Sequence, residues 1–239
     1  MQSPTQINLE EIDVDGAVRE TREEATAAID RGDTRLSFLR KGALAGAGMM
    51  SGGAVLGALA SGAMAAGSQK GRPPASFGKG DIGILNFALT LEYLEAAFYN
   101  GASKAKLSLS KEAAGFLTVV TRDENAHVKF LKSHLGSKAV KEPKFDFKGA
   151  NTNVETFMKT SYVLENTGVH AYLGQAGNIV TPAYLAAAAS IVTVEARHAS
   201  VIGLLNEPSG SEIAPEGPFD KPYTAQKILA AVKATGFLA

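Results

Sequence analysis

The feature that most restricts the fold of this chain is a series of four long helical patterns joined by links of unequal length. Apolar residues recur three and four positions apart over about 79–103, 110–136, 153–174 and 181–206, the spacing that marks one face of an α-helix. The first and third links are short, whereas the second, 136–152, is about 17 residues long. Extended at roughly 3.3 Å per residue, it reaches about 50 Å, enough to run the length of one helix. The sequence therefore predicts an all-α four-helix bundle, built from two tight hairpins and one long crossover between helices 2 and 3.

The segments on either side of the bundle have different compositions. Residues 1–33 carry nine acidic and three basic side chains and few large apolar ones, which predicts a disordered polar region. We expect a linker over 68–78, the bundle over 79–206, and a tail rich in Pro and Gly over 207–239 that ends in a short helix.

Residues 34–67 have the order of a signal peptide. Arg35, Arg40 and Lys41 precede a charge-free stretch, 42–67, that ends in small residues. The start resembles a twin-arginine export motif, although Leu36 stands where the second arginine belongs. We expect export to the periplasm or cell envelope. A retained membrane span over 42–67 and an uncleaved cytoplasmic segment are the alternatives.

Charge and cysteine content exclude several kinds of site. Lys and Arg together number 24, as do Asp and Glu, and no basic run is interleaved with aromatics, so nucleic-acid binding is not expected. The chain has no cysteine, which removes thiolate chemistry and leaves only His, Asp and Glu as metal ligands. Fingerprints of hydrolases, kinases and dinucleotide-binding enzymes are also missing.

Two of the four histidines follow a glutamate by three residues, in Glu124-x-x-His127 and Glu195-x-x-His198. One such pair alone is more often two exposed neighbours on a helix face. Both pairs, however, fall near the middle of a predicted helix, the second and the fourth.

Glu92 and Glu165 stand at the same depth in the first and third predicted helices, in apolar surroundings. In aligned antiparallel helices all four glutamates would meet at one level. Buried carboxylates repel one another and resist ionisation, whereas two divalent metal ions would neutralise them. Carboxylate and imidazole ligands suit iron or manganese, and the ligand types do not choose between the two. The pattern thus predicts a two-metal site.

One Glu from each of two helices plus Glu-x-x-His from each of the other two resembles the ferritin-like di-iron carboxylate proteins. More narrowly, LNFALTLEYLEAAFY, the signal-like front and PFDKPYTAQKILAAV resemble exported ferritin-like proteins of the desiccation-related type. The resemblance implies two iron ions, with manganese as the alternative. It favours Glu92 over Glu95 as the first ligand, because Tyr99 follows Glu92 by seven residues. The implied ligands are Glu92, Glu124, His127, Glu165, Glu195 and His198.

The resemblance also suggests residues around those ligands. Asp123 occupies the place of a carboxylate that orients a ligating histidine from a facing helix, here His198, with an ordinary solvated charge as the alternative. The other candidates for the surroundings are Glu95, Tyr99, Tyr162 and His170.

Three functions are compatible with these residues. The first is a redox protein of ferroxidase, peroxidase or catalase type, in which iron or manganese reacts with oxygen or peroxide. The second is iron storage in a self-associating cage. The third is a structural stress protein in which bound metal only stabilises the bundle. Self-association, turnover and any organic substrate stay open at this point.

Overall fold

The structure is a computed structural model, and it describes residues 71–239. The predicted polar region 1–33, the signal-like segment 34–67 and the first three residues of the predicted linker, 68–70, lie outside the described residues.

Four long helices and one short helix make up the described chain. They are α1 (Gly80–Ala105), α2 (Lys111–Leu135), α3 (Val154–Ala176), α4 (Pro182–Asn206) and α5 (Ala225–Thr235). Single 3-10 turns occupy Ala75–Phe77 and Gly136–Lys138. Within 71–239 the only β-type pairing is an isolated bridge between Phe145 and Leu238. The prediction of an all-α bundle with a short C-terminal helix is confirmed.

Local sequence signals set the helix starts. The Ser110 side chain accepts a hydrogen bond from the Ala113 N–H, and Asn153 does the same for Thr156, so both residues satisfy free amide groups at a helix N-terminus. Pro182 stands in the first turn of α4, where its missing N–H and fixed φ cost nothing. These signals place the helices within a few residues of the prediction.

The long link between α2 and α3 crosses the bundle and is held at both ends. The Asn86 side chain donates to the Lys138 carbonyl and accepts from the Val140 N–H. Further along, the Asp146 N–H donates to the Phe237 carbonyl near the C-terminus. The predicted crossover is therefore confirmed, and α1 packs mainly against α2 and α3 against α4.

Two apolar clusters fill the bundle, one toward each end. The first contains Phe98, Phe157 and Ile202, and the second contains Leu131 and Ile191, all under 5 % exposed. Each long helix contributes to both clusters, and on α2 and α4 the mid-helix glutamate lies between the two contributions. The apolar core thus encloses a polar level at mid-bundle.

By length and composition α4 could cross a membrane, with a mean hydropathy of 1.3. Its Ile191, Glu195 and Ile202 are nevertheless buried in the bundle. Core packing accounts for the apolar composition of this helix, as it does for the core helix of many bundles.

Candidate metal centre

The four glutamates at the middle of the long helices converge in the bundle core. Glu92, Glu124, Glu165 and Glu195 each come from a different helix, and each is fully buried. Fully buried carboxylates are rare in proteins unless a cation or hydrogen bonds compensate their charge. Their position follows from the apolar stripes that turn the same face of each helix inward.

His127 brings one nitrogen to three of these carboxylates. Its Nδ1 atom lies 3.2 Å from Glu92 Oε2, 3.2 Å from Glu124 Oε2 and 3.2 Å from Glu195 Oε1. One N–H cannot donate a good hydrogen bond in three directions at once. Three oxygens and one nitrogen facing a common point are instead a set of donors that a metal ion can use.

His198 repeats this arrangement on the other side of the cluster. Its Nδ1 atom lies 3.1 Å from Glu124 Oε1 and 3.1 Å from Glu165 Oε2. Its other nitrogen, Nε2, lies 3.3 Å from Asp123 Oδ2. An outer carboxylate of this kind fixes the ring orientation of a ligating histidine. The structure therefore brings Asp123 to the position that the orienting role requires.

The donors form two groups that share two members. Within each group the donor atoms lie within 4.8 Å of one another. The first group is Glu92, Glu124, His127 and Glu195; the second is Glu124, Glu165, Glu195 and His198. Glu124 and Glu195 belong to both groups, whereas Glu92 and Glu165 each belong to one.

Several carboxylate oxygens in the cluster are buried without a well-aligned hydrogen bond, although three of them lie 3.1 to 3.2 Å from a histidine Nδ1. They are Glu92 Oε2, Glu124 Oε1 and both oxygens of Glu195. An unsatisfied buried carboxylate oxygen is costly, and a bound cation is one way to satisfy it. The donor set therefore fits a metal ion, and its all-oxygen and nitrogen composition suits iron or manganese.

The cluster also perturbs the acidity of its members. Burial and the charge of Glu92 raise the pKa of Glu124 to about 7, and burial with the charge of Glu124 raises the pKa of Glu195 well above its usual value. Burial opposes protonation of His198, yet Glu124 and Glu165 raise its pKa to about 11. Protons therefore compete with any cation for this site.

His127 lowers the pKa of Glu92, and Glu92 is one of three carboxylates that raise the pKa of His127. Burial alone would raise the pKa of Glu92, but the hydrogen bond and charge of His127 lower it below its usual value. The pKa of His127 is raised strongly by Glu124, Glu195 and Glu92, against the effect of burial.

Two tyrosines hold the carboxylates that belong to one group only. The Tyr99 hydroxyl donates to Glu165 Oε1, and the Tyr172 hydroxyl donates to Glu92 Oε1 at 2.5 Å. Burial and the carboxylate charges raise both tyrosine pKa values well above 10.0, so the hydroxyls stay protonated and act as donors. Sequence reasoning missed Tyr172, although it follows Glu165 by seven residues just as Tyr99 follows Glu92.

Two other residues singled out in the sequence lie outside the cluster. The Tyr162 hydroxyl donates to Glu212 in the C-terminal tail. The His170 ring stacks on Tyr223 and donates from Nδ1 to the Lys221 carbonyl at 2.8 Å. Both side chains fasten the tail to α3 rather than face the carboxylates. Glu95, in contrast, is only 3 % exposed and lies beside Glu195.

The histidines form the side of the cluster nearest to solvent. His127 is 9 % exposed and His198 5 %, whereas the four glutamates of the two groups are fully buried. A groove between α2 and α4 ends on both histidine rings and is bordered by Val119, Arg122 and Val201. Small molecules and ions can therefore approach the cluster from the histidine side.

Comparison with known proteins identifies one matching family. Residues 80–207, which contain the four long helices, match the family model of the ferritin-like domain. No curated protein sequence matches the chain. The matched range includes every residue of the carboxylate and histidine cluster.

Proposed function

The chain belongs to the ferritin-like domain family, and from that premise we propose that it is a dinuclear metal-binding redox protein. It holds two iron or two manganese ions and reacts them with oxygen or peroxide. The observation that carries this proposal is the pair of donor groups that share Glu124 and Glu195. Shared carboxylates hold two ions close together, as two-metal sites require.

The residues have distinct roles in this proposal. Glu124 and Glu195 would contribute to both ions, while Glu92 with His127 and Glu165 with His198 would each hold one. Both histidines bind through Nδ1, because that atom faces the carboxylates. Two divalent ions would balance the charge of the four glutamates, which the metal-free cluster offsets only with bound protons.

The outer residues fix the ligands in place. Tyr99 and Tyr172 each hold one oxygen of Glu165 and Glu92, which leaves the other oxygen directed at the metal position. Asp123 holds the outer nitrogen of His198. Outer contacts of this kind commonly change metal affinity by 10- to 100-fold when removed.

A bound pair of Fe(II) or Mn(II) ions supplies the two electrons that convert one peroxide and two protons into two waters. The protein contributes a dry site, since the four glutamates are fully buried. Among the described residues, the groove between α2 and α4 leads to both histidine rings, and oxygen or peroxide would enter through it. Burial of the carboxylates strengthens their attraction for the ions, because water does not screen it.

Metal content and redox turnover of the full-length protein test the proposal. After anaerobic loading with Fe(II) and gel filtration, we expect two iron ions per chain, followed by rapid oxidation when peroxide is added. Glu124→Gln should lose most of the iron, whereas Glu112→Gln, an exposed change in the first turn of α2, should keep it. Fewer than one metal ion per wild-type chain would refute the proposal.

The same experiment separates the redox function from a structural one. If wild type binds two ions, gains thermal stability and yet consumes no peroxide or oxygen, the metal only stabilises the bundle. That outcome would replace the redox function by the stress-protein alternative while leaving the metal site in place.

A further inference from the structure

The cluster contains a fifth carboxylate that the six-ligand pattern does not use. Glu95 lies one helical turn after Glu92 on the same face of α1. Its side chain is 3 % exposed, so it points into the bundle and not to solvent. A carboxylate buried at this level is ionised only when a partner compensates its charge.

The two halves of the bundle repeat each other around the cluster, except at this position. Glu92 with Tyr99 on α1 corresponds to Glu165 with Tyr172 on α3, and each tyrosine donates to the glutamate of the other half. By the same spacing, the counterpart of Glu95 is Gly168. One half therefore carries a carboxylate where the other carries no side chain at all.

Gly168 leaves the space that Glu95 and Glu195 share. A Cβ atom at Gly168 would lie 2.7 Å from Glu195 Oε2 and 3.4 Å from Glu95 Oε1. The two oxygens thus approach the same small region above the α3 backbone. Glycine inside a helix costs about 1 kcal/mol relative to alanine, and this glycine has no positive φ to require it. The close approach of Glu195 Oε2 is the physical reason for its presence, and Glu95 Oε1 lies at contact distance from the same point.

The hydrogen bonds that satisfy the other carboxylates do not reach Glu95. Among the described residues, Tyr99 and Tyr172 donate to Glu165 and Glu92, while the histidine Nδ1 atoms face Glu124 and its neighbours. Both oxygens of Glu195, the neighbour of Glu95, are buried without a well-aligned hydrogen bond. A cation between Glu95 and Glu195 would compensate both groups.

We propose that Glu95 is an additional metal ligand, and that it binds one of the two ions on the Glu195 side of the cluster. The inference rests on the proposed metal binding. Because Gly168 offers no counterpart, the two metal positions become inequivalent, one with a carboxylate that the other lacks. Five carboxylates carry one negative charge more than two divalent ions neutralise, so Glu95 favours the oxidised, more highly charged pair.

Titration of the full-length protein with Mn²⁺ tests the assignment without any catalytic assay. Free Mn²⁺ is followed by its six-line EPR signal in wild type, Glu95→Gln and Glu155→Gln, an exposed control on α3. We expect Glu95→Gln to weaken one of two bound ions by about 10- to 100-fold and to leave the other unchanged. Unchanged affinity for both ions, or equal weakening of both, would overturn the inference.

A second variant and a second readout guard against a folding defect. Glu95→Asp keeps the negative charge but shortens the side chain by one methylene, so it should lower the affinity for the same ion. Circular dichroism checks that this variant still folds. In the iron-loaded protein, Glu95→Gln should shift the reduction potential to a more positive value; an unchanged potential contradicts the charge argument. If wild type itself binds no metal, the proposed function fails; if wild type binds two ions and Glu95→Gln binds them equally well, only this inference fails.

Discussion

Gly168 is the position where one added methyl group should separate the stability of the bundle from its affinity for metal. In Gly168→Ala the new Cβ would lie 2.7 Å from Glu195 Oε2. Ordinary van der Waals contact begins near 3.4 Å, so this carboxylate oxygen must move by about 0.7 Å. Metal–ligand distances fall within about 0.2 Å of their reference values, so a shift of this size is large for a ligand. We therefore expect metal affinity to fall by about 10- to 100-fold, or about 1.4 to 2.7 kcal/mol.

The metal-free protein should respond in the opposite direction. The displaced atom is the far end of a flexible side chain, so the bundle can accommodate the methyl group. Alanine also favours the helix over glycine by about 1 kcal/mol. The free energy of unfolding of metal-free Gly168→Ala should then equal or exceed that of wild type, by up to about 1 kcal/mol.

Urea unfolding with and without Mn²⁺ measures both effects on the same samples. Gly115→Ala on α2 is the matched control, because nothing lies within 4 Å of its added Cβ. It should gain helix stability and keep the full increase in unfolding free energy that Mn²⁺ provides. The reasoning is refuted if Gly168→Ala gains as much from Mn²⁺ as Gly115→Ala does.

Two further predictions concern protons and the outer carboxylate. The free energy of unfolding of the metal-free protein should fall as pH rises from 5 to 8. In the folded state the pKa of Glu124 is about 7 and that of His198 about 11, above their ordinary values of 4.5 and 6.5. The folded state therefore binds more protons than the unfolded state over this range, and its stability falls as they are lost. Glu124 alone contributes on the order of 3 kcal/mol to this loss; urea titrations at several pH values measure it, and a rise in stability over that range contradicts the sign. Asp123→Asn should weaken Mn²⁺ binding about tenfold, while exposed Asp146→Asn should leave it unchanged; equal affinities in calorimetric titrations would show that Asp123 does not orient His198.

The fold was accessible from the sequence because its signals are local and repeated. Apolar periodicity over about 25 residues indicates each helix. Helix starts are marked by the capping residues Ser110 and Asn153 and by Pro182 in a first turn. The length of the second link, set against helix length, then restricts the connectivity to the crossover that the structure contains.

The candidate site was accessible only where residue spacing carries the information. The six residues of the ligand pattern share a helix level, and the structure brings their side chains together. The partners of Tyr162 and His170 could not be read from spacing, because both lie in the C-terminal tail, whose path depends on tertiary packing. Tyr172 could have been found, since it repeats the seven-residue spacing of Glu92 and Tyr99.

Glu95 shows a further limit of pattern reading. On α1, Glu95 and Glu92 are acidic residues one turn apart, and the spacing to Tyr99 favours Glu92 as a ligand without showing what Glu95 does. What distinguishes the surroundings of Glu95 is Gly168 on a facing helix, a relation between residues far apart in sequence. Only the packed structure reveals that the missing side chain on α3 makes room for Glu195 of α4, beside which Glu95 of α1 lies.

Anomalous diffraction from crystals of the Mn²⁺-loaded protein tests the central claim most directly. The account predicts two anomalous peaks about 3.5–4 Å apart, both in contact with Glu124 and Glu195, with His127 Nδ1 on one ion and His198 Nδ1 on the other. A single peak, two peaks that share no carboxylate, or no peak within the cluster would contradict it.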